Sequence, residues 1–408
     1  MMSTDKPRSP RSSVVLLYVA RGVRGFADGF AIIILPAYLS AIGFSAGQIG
    51  LIASASLLGT ALFTLAVGFV APRYDLRNLL LGGAVLMACT GLAFPSVDVL
   101  VVVAIVAFVG TINPSTGDLG ILVPLEHAML AHGVTDHERT RTFARYSLIG
   151  ALSMASGSLA AALPDFMALA GIDRMSAFKF MFYAYAVLGL LCAELYRRLP
   201  HTHMDEARPS APLGPSRQVV YKLAALFSVD AFAGGFVVQS LLALWLFQRF
   251  DMSLSAASLF FFWASTLSAF SYPVAAWLSK RIGLVNTMVF THIPSSLFLI
   301  LAAFSPNLML TLVLLLLRAA LSQMDVPTRT SYVMAVVTPV ERTAAASVTA
   351  VPRSLASSIS PAMAGVLLAT PFSGLPLVIC GVLKIAYDIA LLRSFRHMKP
   401  PEEKALSL

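Results

Sequence analysis

Charged residues are scarce in this sequence. Asp, Glu, Lys and Arg make up 12% of its 408 residues, about half the share usual in a soluble domain. Hydrophobic residues make up 58%, and the mean hydropathy is +0.81. A chain of this length and composition cannot cover itself with a water-soluble surface. It is expected to be an integral membrane protein that crosses the lipid bilayer many times.

Cysteine is also rare. The three copies, Cys89, Cys192 and Cys380, fall in different apolar stretches. They lack the close spacing of a disulfide framework or a thiolate metal site. The sequence has no glycine loop suited to a phosphate, and no credible set of nucleophile, base and oxyanion donors. We therefore expect no metal, no cofactor and no enzymatic activity.

Apolar stretches long enough to cross a roughly 30 Å hydrocarbon layer as helices recur along the whole chain. They are rich in Leu, Ala, Gly and Phe and do not alternate with polar residues, which argues against a β-barrel. The sequence thus predicts an all-α integral membrane protein with twelve transmembrane helices. The predicted spans are 14–42, 46–71, 77–94, 97–131, 143–163, 176–196, 219–248, 254–279, 284–304, 307–337, 344–368 and 372–395.

The net charge of +9 does not indicate a nucleic-acid partner, because the basic residues fall in alternate loops and not in one patch. Five alternate loops hold eleven Lys and Arg residues, whereas the six opposite loops hold only Arg174 and Arg249. Loops rich in Lys and Arg are typical of the cytosolic side. The pattern predicts that both termini are cytoplasmic, which agrees with an even number of spans.

Two stretches of the chain recur in the same order. VPLEHAMLAHGVTDHERT at 123–140 matches VPTRTSYVMAVVTPVERT at 326–343, and RGFADGF at 24–30 matches DAFAGGF at 230–236. Both matches join corresponding spans of two parallel six-helix repeats. A long polar stretch separates the sixth span from the seventh. We predict an N-terminal six-helix bundle (1–196), a cytosolic central linker (197–218) and a C-terminal six-helix bundle (219–408).

Twelve spans, a cytosolic central loop and parallel halves together resemble the major facilitator superfamily of secondary transporters, over essentially the whole chain. The superfamily's loop motif after span two corresponds to GFVAPRYDLRN, in which Gly68, Arg73 and Arg77 match. The related loop after span eight keeps Arg281 and Gly283. Both loops lack the usual acidic residue of the motif. The resemblance implies two bundles that rock about a central site lined by spans one, four, seven and ten.

Ionisable residues lie within these four spans, where each is costly unless it faces water or a partner. Asp28 in span one and Asp118 in span four lie ten or more residues from the cytosolic helix ends, and we interpret them as proton-coupling groups. Four polar side chains are candidates for substrate binding: Arg24, Gln239, Arg318 and Asp325. Arg318 could instead neutralise Asp28 or Asp118. His292 is interpreted as a packing histidine whose hydrogen bonds are satisfied.

The repeats reverse the charge at two positions. Arg24 corresponds to Asp230, and Glu126 corresponds to Arg329. Opposite charges can pair within each half or across the two-fold axis, so pairs can be exchanged as a gate opens and closes. We therefore predict a gate formed by Glu126, Asp230, Arg329 and Arg353. The alternative is that Glu126 and Arg329 are ordinary charges at helix ends.

These observations indicate a secondary transporter of a small organic solute that works by alternating access. We expect coupling to the proton gradient, export as the direction, and a monomer in a bacterial inner membrane. One alternative is uptake of an organic anion, which Arg24 and Arg318 favour. Another is a sensor or membrane enzyme that keeps a transporter fold without transporting.

Overall fold

The computed structural model describes residues 10–115, 120–132, 134, 136–202 and 213–398, and all regular structure in them is helical. Asp118, predicted as a proton-coupling residue, lies outside the described residues. The α-helices are α1 (Pro10–Ala41), α2 (Ala46–Val70), α3 (Leu76–Ala93), α4 (Leu100–Val109), α5 (Leu122–His132), α6 (Asp136–Ala160), α7 (Leu163–Leu169), α8 (Arg174–Arg197), α9 (Arg217–Gly235), α10 (Gln239–Phe250), α11 (Leu254–Ile282), α12 (Leu284–Phe304), α13 (Leu308–Ser322), α14 (Asp325–Val336), α15 (Arg342–Leu368) and α16 (Leu375–Phe395). We call α1–α8 the N-terminal half and residues 213–398 the C-terminal half.

Ten helical segments of the described chain are long and apolar enough to cross a membrane, judged by length and composition alone. The fourth and eleventh predicted spans are not among them. The fourth span is divided into the short helices α4 and α5, and α15 is rich in alanine and serine. The all-helical membrane fold predicted from the sequence is confirmed.

Three predicted spans are not continuous helices, which corrects their prediction as single segments. Span seven breaks between α9 and α10 just after Gly234 and Gly235, and glycine is a poor helix former. Spans four and ten each resume two residues before a proline, Pro124 in α5 and Pro327 in α14. Proline is tolerated in the first turn of a helix because the first N–H groups have no partner within it. The Val-Pro kept by both repeats therefore lies where a helix begins.

The apolar core consists of separate clusters at the two ends of the helix bundle. We call the end where α1 begins and α16 finishes the terminal end, and the other the distal end. At the distal end one cluster joins both halves, from Ile34 and Leu57 to Leu241 and Phe261. At the terminal end each half has its own cluster. The halves are thus held together by apolar packing towards the distal end.

Among the described residues, hydrogen bonds between the two halves also lie towards the distal end. Ser54 of α2 accepts a hydrogen bond from the backbone N–H of Ala362 on α15 at 2.8 Å. Asp165 of α7 accepts two hydrogen bonds from Ser255 in the first turn of α11, from its N–H and its hydroxyl, both at 2.8 Å. Both contacts lie in the distal part of the bundle, so they reinforce the apolar seam.

Both described ends of the linker are anchored at the terminal end by an acidic side chain. Asp75, the N-cap of α3, accepts a hydrogen bond from the backbone N–H of Thr202 at 3.1 Å. Glu341 accepts hydrogen bonds from the backbone N–H of Gly214 and from the hydroxyls of Ser216 (2.7 Å) and Thr338 (2.5 Å). The hydrogen bonds from Thr338, Ser216 and Gly214 lower the pKa of Glu341 to about 2, because they stabilise its charged form.

Candidate functional site

A cavity of about 410 Å³ lies within the C-terminal half, where that half faces α2 and the end of the 110–115 segment. Leu57 and Ser115 are the described residues of the N-terminal half that line it. The rest of its described lining comes from the C-terminal half. Its volume lies within the range of roughly 300 to 1,000 Å³ that is typical of small-molecule sites.

Six residues predicted for substrate binding or gating line this cavity. They are Asp230, Gln239, Arg318, Asp325, Arg329 and Arg353. Five helices, α9, α10, α13, α14 and α15, bring them together. Arg24, Asp28 and Glu126 do not line it, and form a separate group in the N-terminal half.

Two ion-paired carboxylates form one wall of the cavity. Asp230 accepts a hydrogen bond from Nζ of Lys384 at 2.6 Å, and its other oxygen lies 3.4 Å from Nη1 of Arg329. Arg329 also pairs with Asp325 one helical turn before it. The guanidinium of Arg329 lies over the ring of Phe227, at 5.3 Å from the ring centre. Asp230 and Asp325 are therefore balanced by Lys384 and Arg329.

His292 of α12 connects this ion cluster to a third buried carboxylate. Its Nε2 lies 3.2 Å from Nζ of Lys384, and its Nδ1 lies 3.1 Å from Oδ1 of Asp388. An ammonium can only donate, so Nε2 accepts and the ring proton sits on Nδ1, which donates to Asp388. The histidine predicted as a packing residue is thus hydrogen-bonded on both sides and lines the cavity.

Two further cations line the cavity without an ionic partner among the described residues. The side chains of Arg318 on α13 and Arg353 on α15 make neither an ion pair nor a hydrogen bond there, and Nε of Arg353 is buried. Arg353 is repelled by Arg329 and attracted by Asp230 and Asp325.

The N-terminal half holds its own buried ion pair. Arg24 of α1 pairs with Glu126 of α5, whose side chain is fully buried. Glu126 also accepts hydrogen bonds from the hydroxyls of Tyr146 and Tyr196, the latter at 2.6 Å. Each charge-reversed position is therefore paired within its own half, Arg24 with Glu126 and Asp230 with Arg329.

Asp28 lies one turn further along α1 and makes no ion pair among the described residues. It accepts a hydrogen bond from the hydroxyl of Tyr185 at 3.4 Å. Together with Arg24 and Thr111 it lines a small cavity of about 20 Å³, which has room for about one water molecule.

The loop-motif residues lie at the terminal end, away from both cavities. Nη1 of Arg77 lies 2.9 Å from Nε2 of His201 at the start of the linker, and the side chain of Arg73 is exposed. Arg281 stacks on Trp277 at 4.2 Å. Gly283, at the junction of α11 and α12, has φ +89°, a conformation that favours glycine. Gly68 has open space around its Cα.

Sequence reasoning missed Lys384, Asp388, Tyr146 and Tyr196. The first two lie on α16, in the last span, which the resemblance does not place at the central site. Their four-residue spacing puts them on one helical face within an apolar stretch, and that signal could have found them. The tyrosines carry no such signal, because tyrosine is common in apolar helices.

The chain matches known proteins along its length. The family model described as Major Facilitator Superfamily matches residues 17–242 and 223–407. An uncharacterized membrane protein of Saccharomyces cerevisiae, YJR124C, is 26% identical over 420 residues, which cover 94% of each chain. Within the described residues, no cluster of His, Cys, Asp and Glu could hold a metal ion.

Solved structures share the fold at low sequence identity. The nucleoside transporter NupG has a TM-score of 0.73 at 13% identity, covering 94% of this chain and 99% of its own. A bacterial homologue of the human lysosomal transporter Spinster, inward-facing and unoccupied, has a TM-score of 0.71 at 14% identity, covering 96% and 98%. The xylose transporter XylE from E. coli, inward open, has a TM-score of 0.73 at 13% identity, covering 96% and 99%.

Proposed function

The chain belongs to the Major Facilitator Superfamily and is a membrane secondary transporter; from that premise we propose that it couples movement of a small organic solute to protons. The solute binds in the 410 Å³ cavity. The observation that carries this proposal is the cavity itself, since it has the size of a ligand site and buried ionised side chains form its wall.

The division of the core supports a working cycle of alternating access. The halves share one apolar cluster at the distal end and have separate clusters at the terminal end. If both termini are cytoplasmic, as the Lys and Arg residues of the loops predict, this is an inward-open arrangement. Two of the structural neighbours are described as inward open or inward-facing.

Asp28 is the proposed proton-coupling residue. Its carboxylate has a tyrosine partner and no cation at ion-pair distance among the described residues, whereas Asp230, Asp325 and Glu126 each pair with one. A buried carboxylate without a cation at ion-pair distance can take up and release a proton during the cycle. Asp118 remains a second candidate from the sequence alone.

Proton flux in proteoliposomes tests this proposal. The purified protein is reconstituted in vesicles that contain a pH indicator, and candidate solutes are added one at a time. A transported solute should cause protons to cross the vesicle membrane. Asp28→Asn should abolish that movement and keep solute exchange between the two sides. Asp251→Asn is the matched control, because Asp251 caps α10 at φ 48°, a conformation that asparagine tolerates.

The outcomes separate the alternatives. If Asp28→Asn keeps full solute-driven proton flux, Asp28 is not the coupling group. If solutes bind but none moves, the protein is a sensor on a transporter fold. We propose export across a bacterial inner membrane by a monomer; everted vesicles would then accumulate solute when the proton gradient is imposed, and right-side-out vesicles would not.

The reversed charges form the proposed gate. In this arrangement Glu126 and Arg329 pair within their own halves, and we propose that they attract each other when the terminal end closes. Arg329→Gln should then favour the open terminal end several-fold, because this variant cannot form the pair with Glu126 that stabilises the closed end. In this variant Asp230 keeps Lys384 as its partner and Asp325 loses its ion pair. Unchanged labelling of a cysteine at Ser322 from the terminal side would contradict the gate.

A further inference from the structure

The charges of the described residues that line the large cavity do not balance. Its described lining contains the cations Arg318, Arg329, Arg353 and Lys384, but only the carboxylates Asp230 and Asp325. Arg329 and Lys384 are the partners of those carboxylates. With His292 neutral, the described lining keeps two positive charges, on Arg318 and Arg353; the buried carboxylate of Asp388 lies behind the lining and faces His292.

An uncompensated cation in a membrane-spanning helix is costly unless water or an anion reaches it. Arg353 is repelled by the positive charge of Arg329 and attracted by Asp230 and Asp325, but neither carboxylate lies at ion-pair distance from it. Carboxylate or phosphate oxygens would match the planar set of donors that each guanidinium presents. Both arginines line the cavity, so a ligand placed there can supply the missing negative charge.

We propose that the transported solute is a small polar organic acid whose carboxylate or phosphate is neutralised by Arg318 and Arg353. This inference rests on the proposed function, because it names the substrate class of the same cavity. It gives Arg353 a binding role in addition to the gating role predicted from the sequence.

The remaining lining favours a ligand with hydrogen-bonding groups. Ser296 lines the cavity, and its buried hydroxyl has no hydrogen-bond partner within the described part of the chain. Gln239, Gln323 and Ser322 add further amide and hydroxyl groups. Phe260 supplies an apolar surface. Lipophilic cations would meet surplus positive charge here, so this site disfavours them.

A first experiment measures the charge of the cavity and needs no knowledge of the ligand. In protein with the three native cysteines replaced by alanine, Ser322→Cys is treated with an anionic (sulfonatoethyl) and a cationic (trimethylammonioethyl) methanethiosulfonate. Each rate is normalised to the same reagent's rate with a free thiol. A surplus of positive charge should favour the anionic reagent about tenfold.

The variants identify the source of that preference. Arg318→Gln and Arg353→Gln should each lower the ratio of anionic to cationic rate several-fold. Arg393→Gln, at an exposed position in the last turn of α16, is the matched control and should not change it. A normalised ratio of one or less, or a ratio that neither cavity variant lowers, would overturn the proposal.

A second experiment uses matched ligands. Binding to the detergent-solubilised protein is measured for gluconate against sorbitol, glycerol 3-phosphate against glycerol, and benzoate against benzamide, with tetraphenylphosphonium as the cation. We expect an acid to bind, its neutral counterpart to bind at least tenfold more weakly, and Arg318→Gln to remove the difference. The gluconate and glycerol 3-phosphate arms distinguish a carboxylate from a phosphate site.

The two proposals can fail separately. If vesicles transport neutral solutes or cations but neither acids nor phosphates, the anion inference is wrong. The proposal of coupled transport then still holds. If acids bind in an Arg318-dependent manner and no solute crosses the membrane, the anion site stands and coupled transport is wrong. Equal binding of acids and neutral counterparts overturns the anion inference in either case.

Discussion

Buried charges in this protein are held by networks of specific partners, as Glu126 illustrates. Its two oxygens accept hydrogen bonds from Tyr146 and Tyr196 and pair with Arg24. A carboxylate that is fully buried persists only if its lone pairs are satisfied in this way. The network ties α1, α5, α6 and α8 together at the terminal end of the N-terminal half.

Breaking this network should be costly. Glu126→Gln and Arg24→Gln each leave an unpaired group in a buried site, and each should destabilise the protein by about 3 kcal/mol. The double variant should be more stable than the sum of the two predicts, by about 1 to 3 kcal/mol. Unfolding of the detergent-solubilised protein measures all three, and Glu194→Gln at an exposed helix end is the control. Simple additivity would show that the two charges are not coupled.

Glu341 determines a pH-dependent contact outside the membrane spans. Its pKa is lowered to about 2 by hydrogen bonds from Thr338, Ser216 and Gly214. A lowered folded-state pKa stabilises the fold above the unfolded pKa of about 4.3, and this stabilisation is lost as the pH falls towards 2.

Amide hydrogen exchange of the 213–220 segment tests this dependence. Glu341→Gln should lose protection at Gly214, and the wild-type protein should lose the same protection only as the pH approaches 2. Glu194→Gln should have no effect on this segment. Equal exchange in wild-type protein and Glu341→Gln at pH 7 would show that Glu341 does not anchor the linker.

At the scale of elements, small residues allow helices of the two halves to touch. A Cβ on Gly365 of α15 would lie 2.4 Å from the carbonyl oxygen of Ala46 and 2.8 Å from Cα of Gly50, both on α2. Repeat-equivalent glycines do the same within each half: Gly29 approaches the backbone of Met154, and Gly235 approaches that of Ser357. These contacts fix the spacing between neighbouring helices.

Gly365→Ala should therefore push α2 and α15 apart. The clash is with backbone atoms, which cannot move aside cheaply, and a loss of about 1 to 3 kcal/mol is expected. Gly82→Ala on α3 is the matched control, since no atom lies within 4 Å of its added Cβ. The thermal unfolding midpoint of each variant is measured. A fall in Gly82→Ala as large as that in Gly365→Ala would disprove the packing explanation.

At the scale of the whole molecule, the distal seam holds the two halves in this arrangement. Asp165 satisfies the free N–H of Ser255 in the first turn of α11, so an acid of one half caps a helix of the other. Such a contact can form only while the distal end is closed.

Asp165→Ala should shift the protein towards the state that is open at the distal end. Loss of a cap costs about 1 kcal/mol, roughly a fivefold change in the equilibrium. The rate at which a thiol reagent labels Ser322→Cys from the terminal side should fall by a similar factor. Asp173→Ala is the control, because Asp173 caps α8 within the N-terminal half at 3.0 Å. Equal effects of both variants would mean that a lost cap, and not the bridge between halves, is responsible.

The sequence by itself determined the membrane class, the helical fold and the six-plus-six repeat. These depend on local properties of the chain, namely the length of apolar stretches, the spacing of basic loops and the recurrence of Val-Pro at helix starts. It also identified most of the charged residues at the large cavity, because an ionisable residue is conspicuous in an apolar helix.

Only the tertiary structure decided how these charges are shared. Arg24 and Arg318 are both arginines in spans that the family resemblance places at the central site, yet Arg24 is neutralised by Glu126 and Arg318 has no partner among the described residues. Lys384 and His292 joined the cluster only when α12 and α16 packed beside α9. Pairing of charges depends on distances of a few ångströms between helices far apart in the chain, and those distances are fixed by packing.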